Sequence, residues 1–188
     1  MSHPSSNPHY GLRPSRWVER FAQLVAPGAR VLDLAAGHGR HAIYLASRGA
    51  KVLAVDRDAA ALATFAATPG IVTRVLDLER GTWPLPGERF DAIVVMHYLH
   101  RPLLGHLLSA LVPDGVLLYE TFAAGNEAHG KPSNPDFLLQ PNELLAIARD
   151  ALTIVAFEQG LVAGEHAAVV QRVAAVGRGR PWPPALPG

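Results

Sequence analysis

Val31-Leu32-Asp33-Leu34-Ala35-Ala36-Gly37-His38-Gly39-Arg40-His41 is the stretch whose reading decides the fold. An apolar run carries one carboxylate near its end, two glycines follow one residue apart, and a segment with helical character begins. This order predicts a buried parallel strand that turns sharply into a helix. Glycine at 37 and 39 lets the backbone take positive φ and leaves room for a ligand against the main chain. The amides that open the next helix then face an anionic or polar group. Asp33 sharpens the picture: a carboxylate at the strand end accepts hydrogen bonds from an ammonium group or a bound water, which a pyrophosphate site would not want. The ligand implied is cationic near the strand and nucleoside-like further on.

Asp33-x-x-x-Gly37-x-Gly39-Arg40 resembles motif I of the class I S-adenosylmethionine-dependent methyltransferases. In that family the glycine turn holds the methionine part of the cofactor. Gly37-x-Gly39-x-x-Ala42 also fits the G-x-G-x-x-G/A fingerprint of nicotinamide dinucleotide folds, so the rest of the chain must decide.

The 188 residues suggest one domain with a real hydrophobic core. A net charge of +1 gives no global footprint for nucleic acid or a membrane surface. With no cysteine, disulfides and thiolate catalysis are excluded. The first eight residues are polar and proline-containing, unlike a signal peptide. No apolar run reaches the ~20 residues of a membrane span. A soluble cytoplasmic protein, monomer or homodimer, is expected.

Residues 1–14 read as a flexible arm. His3 and His9 fall in it as part of a solvated segment, metal binding being the alternative, and no metal is expected. Ser15 is placed to cap a helix over residues 16–25, which Pro27-Gly28 stops. A strand over 30–34, a helix over 40–48 and a strand over 51–56 follow. Asp56 comes nineteen residues after Gly37, the spacing at which a carboxylate takes ribose hydroxyls; helix capping is its alternative role, for which Asp58 is better placed. After a helix carrying Ala59, Leu62, Phe65 and Ala66, a third strand over 71–76 ends in Asp77-Leu78-Glu79. A strand ending in Asp plus an apolar residue commonly reads adenine in the methyltransferases; an Asx turn is the alternative.

Phe90-Asp91 opens a fourth strand that resembles motif IV of the same family. His97, Tyr98, His100 and Arg101 leave its carboxyl end, where ligands bind in open α/β sheets. Histidine suits general-base work near neutral pH, so His97 is either the base or a wall of the pocket. The Asn/Asp-Pro-Pro-Tyr sequence of amino-methylating enzymes is absent. Pro102 starts a helix with Leu103, Leu104, Leu107, Leu108 and Leu111 on its core face. The turn Val112-Pro113-Asp114-Gly115 leads into a fifth strand over 116–122. Its Glu120 must pair with Arg101, a histidine or a basic substrate, or else face solvent. Residues 123–140 are too long for a tight connection and read as a lid-like loop, anchored by Phe137, Leu138 and Leu139 and resembling small bacterial methyltransferases of the tellurite-resistance type. Two last strands, over 152–161 and 167–176, have a link so short that they must be antiparallel neighbours. A parallel sheet finished by a reversed hairpin is characteristic of class I methyltransferases and not of dinucleotide domains. Residues 177–188 read as a disordered tail.

The expected architecture is therefore α/β, a Rossmann-like doubly wound seven-stranded sheet over residues 15–176. The resemblance implies S-adenosylmethionine as cofactor, with contacts at Asp33, Ala35, Gly37, Gly39, Arg40, Asp56, Arg57, Asp77, Leu78, Met96 and His97. It implies a small-molecule acceptor, with His97, Tyr98, His100, Arg101, Glu120 and Tyr10 as candidates on the acceptor side. A non-catalytic cofactor-binding protein and an NAD(P)-dependent oxidoreductase are the alternatives.

Overall fold

In the computed structural model, which describes residues 13–164, 166–184 and 186, Ser15 caps the first helix. Its Oγ accepts the Val18 amide at 3.1 Å and starts α1 (Arg16–Phe21). The helix tightens into a 3₁₀ turn over Ala22–Leu24 and so is shorter than the apolar period suggested. Trp17, Val18 and Phe21 are its buried face.

The strands are β1 (Arg30–Leu34), β2 (Lys51–Asp56), β3 (Ile71–Val75), β4 (Phe90–Met96), β5 (Leu111–Phe122), β6 (Leu152–Val162) and β7 (Ala168–Gly177). They form one sheet in the order β3-β2-β1-β4-β5-β7-β6. β1 lies parallel between β2 and β4, whereas β7 runs antiparallel to both β5 and β6. The reversed final hairpin is therefore present, and with it the topology that separates this fold from a dinucleotide domain.

Because side chains alternate across a strand, the sheet divides the core in two. Val31, Ala54, Val94 and Leu118 face Trp17, Phe21 and Leu45. Leu32, Leu34, Ile93 and Leu117 face Leu103, Leu107 and Leu144. The covering helices are α2 (Arg40–Ser47), α3 (Ala59–Ala63), α4 (Leu104–Ala110) and α5 (Glu143–Arg149). No described helix is long and apolar enough to cross a membrane.

Two boundaries differ from the sequence reading. Leu111 already pairs with Phe90, and residues 112–115 bulge from the ladder before Val116 pairs with Ala92, so the Pro-Asp-Gly turn sits inside β5. Residues 178–180 are also held, contrary to the expected disordered tail: Gly179 donates its amide to the Pro113 carbonyl at 2.8 Å, and Arg180 reaches the Leu24 carbonyl at 2.8 Å.

Candidate active site

The glycine turn lies between the end of β1 and the start of α2, and its two glycines differ in their surroundings. Gly39 (φ +73°) is the N-cap of α2, and a Cβ there would stand 2.6 Å from the Phe65 ring. Gly37 (φ +54°) has open space where its Cβ would be. The left-handed backbone favours glycine at both positions, and close packing against Phe65 adds a second reason at Gly39 alone. Beneath them Asp33 is fully enclosed. Burial, offset in part by a hydrogen bond from Ala42 and the charge of Arg40, lifts its pKa from 3.8 to about 7. Its Oδ2 has no hydrogen-bond partner, and a buried polar atom left in that state points to a missing ligand or water.

Asp56 ends β2 and ties back to the turn. Its Oδ2 accepts the Gly37 amide at 2.8 Å and its Oδ1 the Asp58 amide at 2.9 Å. Asp58 caps α3 by accepting from Ala60 and Ala61, so the capping role falls to it and not to Asp56. Asp77, just after β3, forms the Asx turn: its Oδ1 accepts the Glu79 amide at 3.0 Å, and its Oδ2 pairs with Arg80 at 3.1 Å. Ala35, Asp56, Arg57, Leu76, Asp77, Leu78, Glu79 and Tyr98 line one cavity of about 160 Å³ at the carboxyl ends of these strands. Arg57 stands at its exposed rim, 4.0 Å from Glu79. Tyr98, expected on the acceptor side, is placed in this cavity instead. Its hydroxyl is buried without a partner, and burial with the Glu79 and Asp77 charges pushes its pKa up, so it stays a neutral phenol.

On the other side of β4, His97 takes a left-handed backbone (φ 56°) and donates its amide to the Glu120 carbonyl at 2.8 Å. Its Nε2 lies 3.5 Å from Glu120 Oε1, and its ring is tilted 4.9 Å from Phe122. Met96 Sδ accepts from Ser15 Oγ at 3.7 Å. The buried His41 accepts the Ser15 amide on Nε2 at 3.2 Å. Burial, then the charges of Arg40 and His97, push His41 down to about 3, so it is neutral with its proton on Nδ1.

Glu120 is buried and does not face solvent. Burial pushes its carboxyl up, but the hydrogen bonds and charges of His97 and Arg172 outweigh this and hold it below the usual range. Its partners are a histidine, as one reading had it, and Arg172, which sequence reasoning missed. Arg101 is elsewhere, gripping Glu143 at 2.7 Å and the carbonyls of Asp136 at 2.7 Å and Leu138 at 2.9 Å. It pins the 123–140 loop to α5, with Leu138 and Leu139 buried and Phe137 exposed. His100 lines a separate groove of about 630 Å³, where Trp83 stacks on His106. Tyr10, His3 and His9 lie outside the described residues.

The residues present fit S-adenosylmethionine. Gly37 opens the turn, the orphaned carboxylate oxygen of Asp33 suits a cation, and one cavity gathers Asp56, Asp77 and Leu78.

The model of the family described as "Methyltransferase domain" matches residues 31–115, from the glycine turn through β4 to the β5 bulge. No curated protein matches the chain by sequence. Among solved structures, TehB from Haemophilus influenzae is similar in fold, with TM-score 0.72 and 19% identity over 86% of this chain. The match spans only 61% of TehB's own length. A TehB-like S-adenosylmethionine-dependent methyltransferase from Corynebacterium glutamicum gives TM-score 0.63 and 21% identity over 86% of this chain and 87% of its own. The 1,6-didemethyltoxoflavin-N1-methyltransferase of Burkholderia thailandensis, solved with 1,6-didemethyltoxoflavin and S-adenosylhomocysteine bound, gives TM-score 0.63 and 24% identity over 86% and 76%. Residues 31–115, across the glycine turn, are thus similar to a methyltransferase domain, and the whole sheet with its reversed hairpin has the fold of S-adenosylmethionine-dependent methyltransferases.

Proposed function

We propose that the chain moves the methyl group of S-adenosylmethionine onto a small protic nucleophile. The observation that carries this reading is the single cavity at the ends of β1, β2 and β3, where Asp56, Asp77 and Leu78 meet beside the open Gly37 turn. Asp33 would answer the ammonium of the methionine part, Asp56 the ribose, and Asp77 with Leu78 the adenine; Ala35, Arg40, Arg57 and Met96 would complete the walls. Tyr98, as a neutral phenol, has a hydroxyl to offer in the same cavity. When bound, the cofactor supplies an activated methyl group, whose bonding pair returns to sulfur as the nucleophile attacks.

The chain's own work is then alignment, exclusion of water and removal of one proton. His97 is the base in this reading: it stands at the carboxyl end of β4, and Glu120 at 3.5 Å would stabilise the imidazolium once the proton is taken. A small acceptor is supported by the Burkholderia relative, whose bound 1,6-didemethyltoxoflavin is itself a small molecule.

Calorimetry with S-adenosylmethionine and S-adenosylhomocysteine on wild type and Asp56→Ala tests the reading. Micromolar binding that weakens at least tenfold in the variant is expected. Failure to bind either compound would overturn it, and binding without turnover on any acceptor would leave a cofactor-binding protein without catalysis.

A further inference from the structure

Met96, Glu120, Arg172 and Glu158 are register partners on four adjacent strands: Met96 pairs with Glu120, Glu120 with Arg172, and Arg172 with Glu158. One row across the sheet therefore starts at the residue before His97 and alternates in charge to its far edge. Arg172 is held hardest at the outer end, where its Nε and Nη2 donate to Glu158 Oε2 at 2.8 and 2.6 Å. Glu158 is backed in turn by Arg20 at 2.9 Å, and the Arg172 guanidinium lies 5.1 Å over the Trp17 ring. From that anchored position Arg172 Nη1 reaches Glu120 Oε2 at 3.5 Å, while Glu120 Oε1 faces His97.

We propose that Arg172, fixed by Glu158, is a positioning residue that keeps the buried Glu120 carboxylate ionised and aimed at His97. The inference rests on the reading that the methyl acceptor meets His97. A carboxyl group enclosed like Glu120 protonates unless a cation or donors hold its charge. Once protonated it can no longer stabilise an imidazolium, and it is as free to donate as to accept. Arg172 removes that ambiguity from one side and leaves the second oxygen for the imidazole. Glu158 restrains Arg172, whose planar fork loses little freedom when already stacked and paired. The groups facing this unit are His97 after β4, Glu158 on β6, Arg20 and Trp17 on α1, and on α2 the neutral His41, which faces His97.

The test is the pH titration of the Glu120 carboxyl carbon by NMR in the intact, ligand-free protein labelled in glutamate, with the resonance assigned by its loss in Glu120→Gln. Arg172→Gln is expected to raise the midpoint by about one pH unit or more, because a unit charge this close is worth that much even when well screened. Arg172→Lys should restore most of the shift. Glu158→Gln should move the midpoint the opposite way, since it removes a like charge while its amide oxygen still accepts from Arg172. A wholly structural network would lower the melting temperature and leave the midpoint in place, and that result overturns the proposal. Should Arg172→Gln not fold, the Glu158→Gln arm decides alone by the same criterion. Calorimetric binding of S-adenosylmethionine, run on the same samples, fails separately if the methyltransferase reading is at fault.

Discussion

Replacing Asp33 by asparagine separates what the enclosed carboxylate costs the fold from what it does for a ligand. In the unfolded chain this group titrates near 3.8, and burial lifts it to about 7 in the fold. The ionised form is the disfavoured one in the native state. The penalty is therefore absent below about pH 3.8, grows between 3.8 and 7, and is constant above. At ~1.4 kcal/mol per pH unit the lift amounts to about 4 kcal/mol above pH 7. Asparagine carries no charge and keeps an oxygen for the Ala42 amide, but it leaves an amide N–H group without a partner at a cost of ~1–3 kcal/mol. The variant should accordingly be more stable than wild type by ~1–3 kcal/mol at pH 8. At pH 5, where only about 1.5 kcal/mol of the penalty has developed, the advantage should shrink to about 0.5 kcal/mol or reverse. Urea unfolding at both pH values reads the gap directly. A gap that does not change with pH would refute the reasoning, because only ionisation of Asp33 makes it change. The ligand side follows from the same carboxylate. A cation held against Asp33 favours its ionised form, so binding of S-adenosylmethionine near pH 6.5 should release a proton, visible as a buffer-dependent enthalpy. Asp33→Asn should abolish that dependence and weaken binding.

The two glycines of the turn should fail differently. Gly39→Ala drives a Cβ into the Phe65 ring at positive φ and should cost ~2–4 kcal/mol of stability in urea. Gly37→Ala meets nothing, so it should cost only ~1 kcal/mol yet weaken cofactor binding at least tenfold by calorimetry. Arg101→Ala removes the clasp between α5 and the 123–140 loop; amide exchange at Leu138 and Leu139 should accelerate about tenfold while β4 stays protected. Tyr98→Phe deletes a hydroxyl that has no partner in the fold, so thermal stability should hold or rise and cofactor affinity fall. A clear loss of melting temperature would mean the hydroxyl serves the fold.

How much of this was legible in the sequence depended on the range of the interaction. The glycine turn, the capping serine, the strand-ending Asp56 and Asp77 and the final hairpin all follow from residues close together in the chain, and the structure has each of them. Tyr98 and Arg101 read as part of one acceptor cluster because they share the segment after β4. The left-handed turn at His97 sends Tyr98 across to the other face of the sheet, and Glu143 and the Asp136 and Leu138 carbonyls claim Arg101. Neither is visible in spacing. Glu120 stood out as a charge in an apolar strand, but its partner Arg172 lies 52 residues away and depends on the β5–β7 register. The further partner Glu158 was not readable either: the link expected over 162–166 is centred at 164, and only the observed pairing of Val162 with Ala168 sets 158 opposite 172.

The reversed hairpin gives the surroundings of His97 something a wholly parallel sheet would not. In a parallel sheet the residues around the cleft sit where strands give way to loops, as Asp56 and Asp77 do here. β7 enters the sheet from the opposite direction, so its pairing with β6 continues past the charged row, through Gly160–Val170 to Val162–Ala168. Pairing with β5 likewise extends to Phe122–Val170. Arg172 is therefore interior to the sheet, its strand paired with β5 on one side and β6 on the other, while Glu158 stands on the edge strand, paired with β7 alone. A site holds its geometry best when its supporting residues stand on rigid elements. The cavity lined by Asp56 and Asp77 is shaped by turns, whereas the charge behind His97 is set into the sheet. The consequence is measurable: the amide of Arg172 should exchange at the rate of the core strands, and those of the Asp77–Arg80 turn far faster. Equal rates would remove the rigid support on which the role of Arg172 depends.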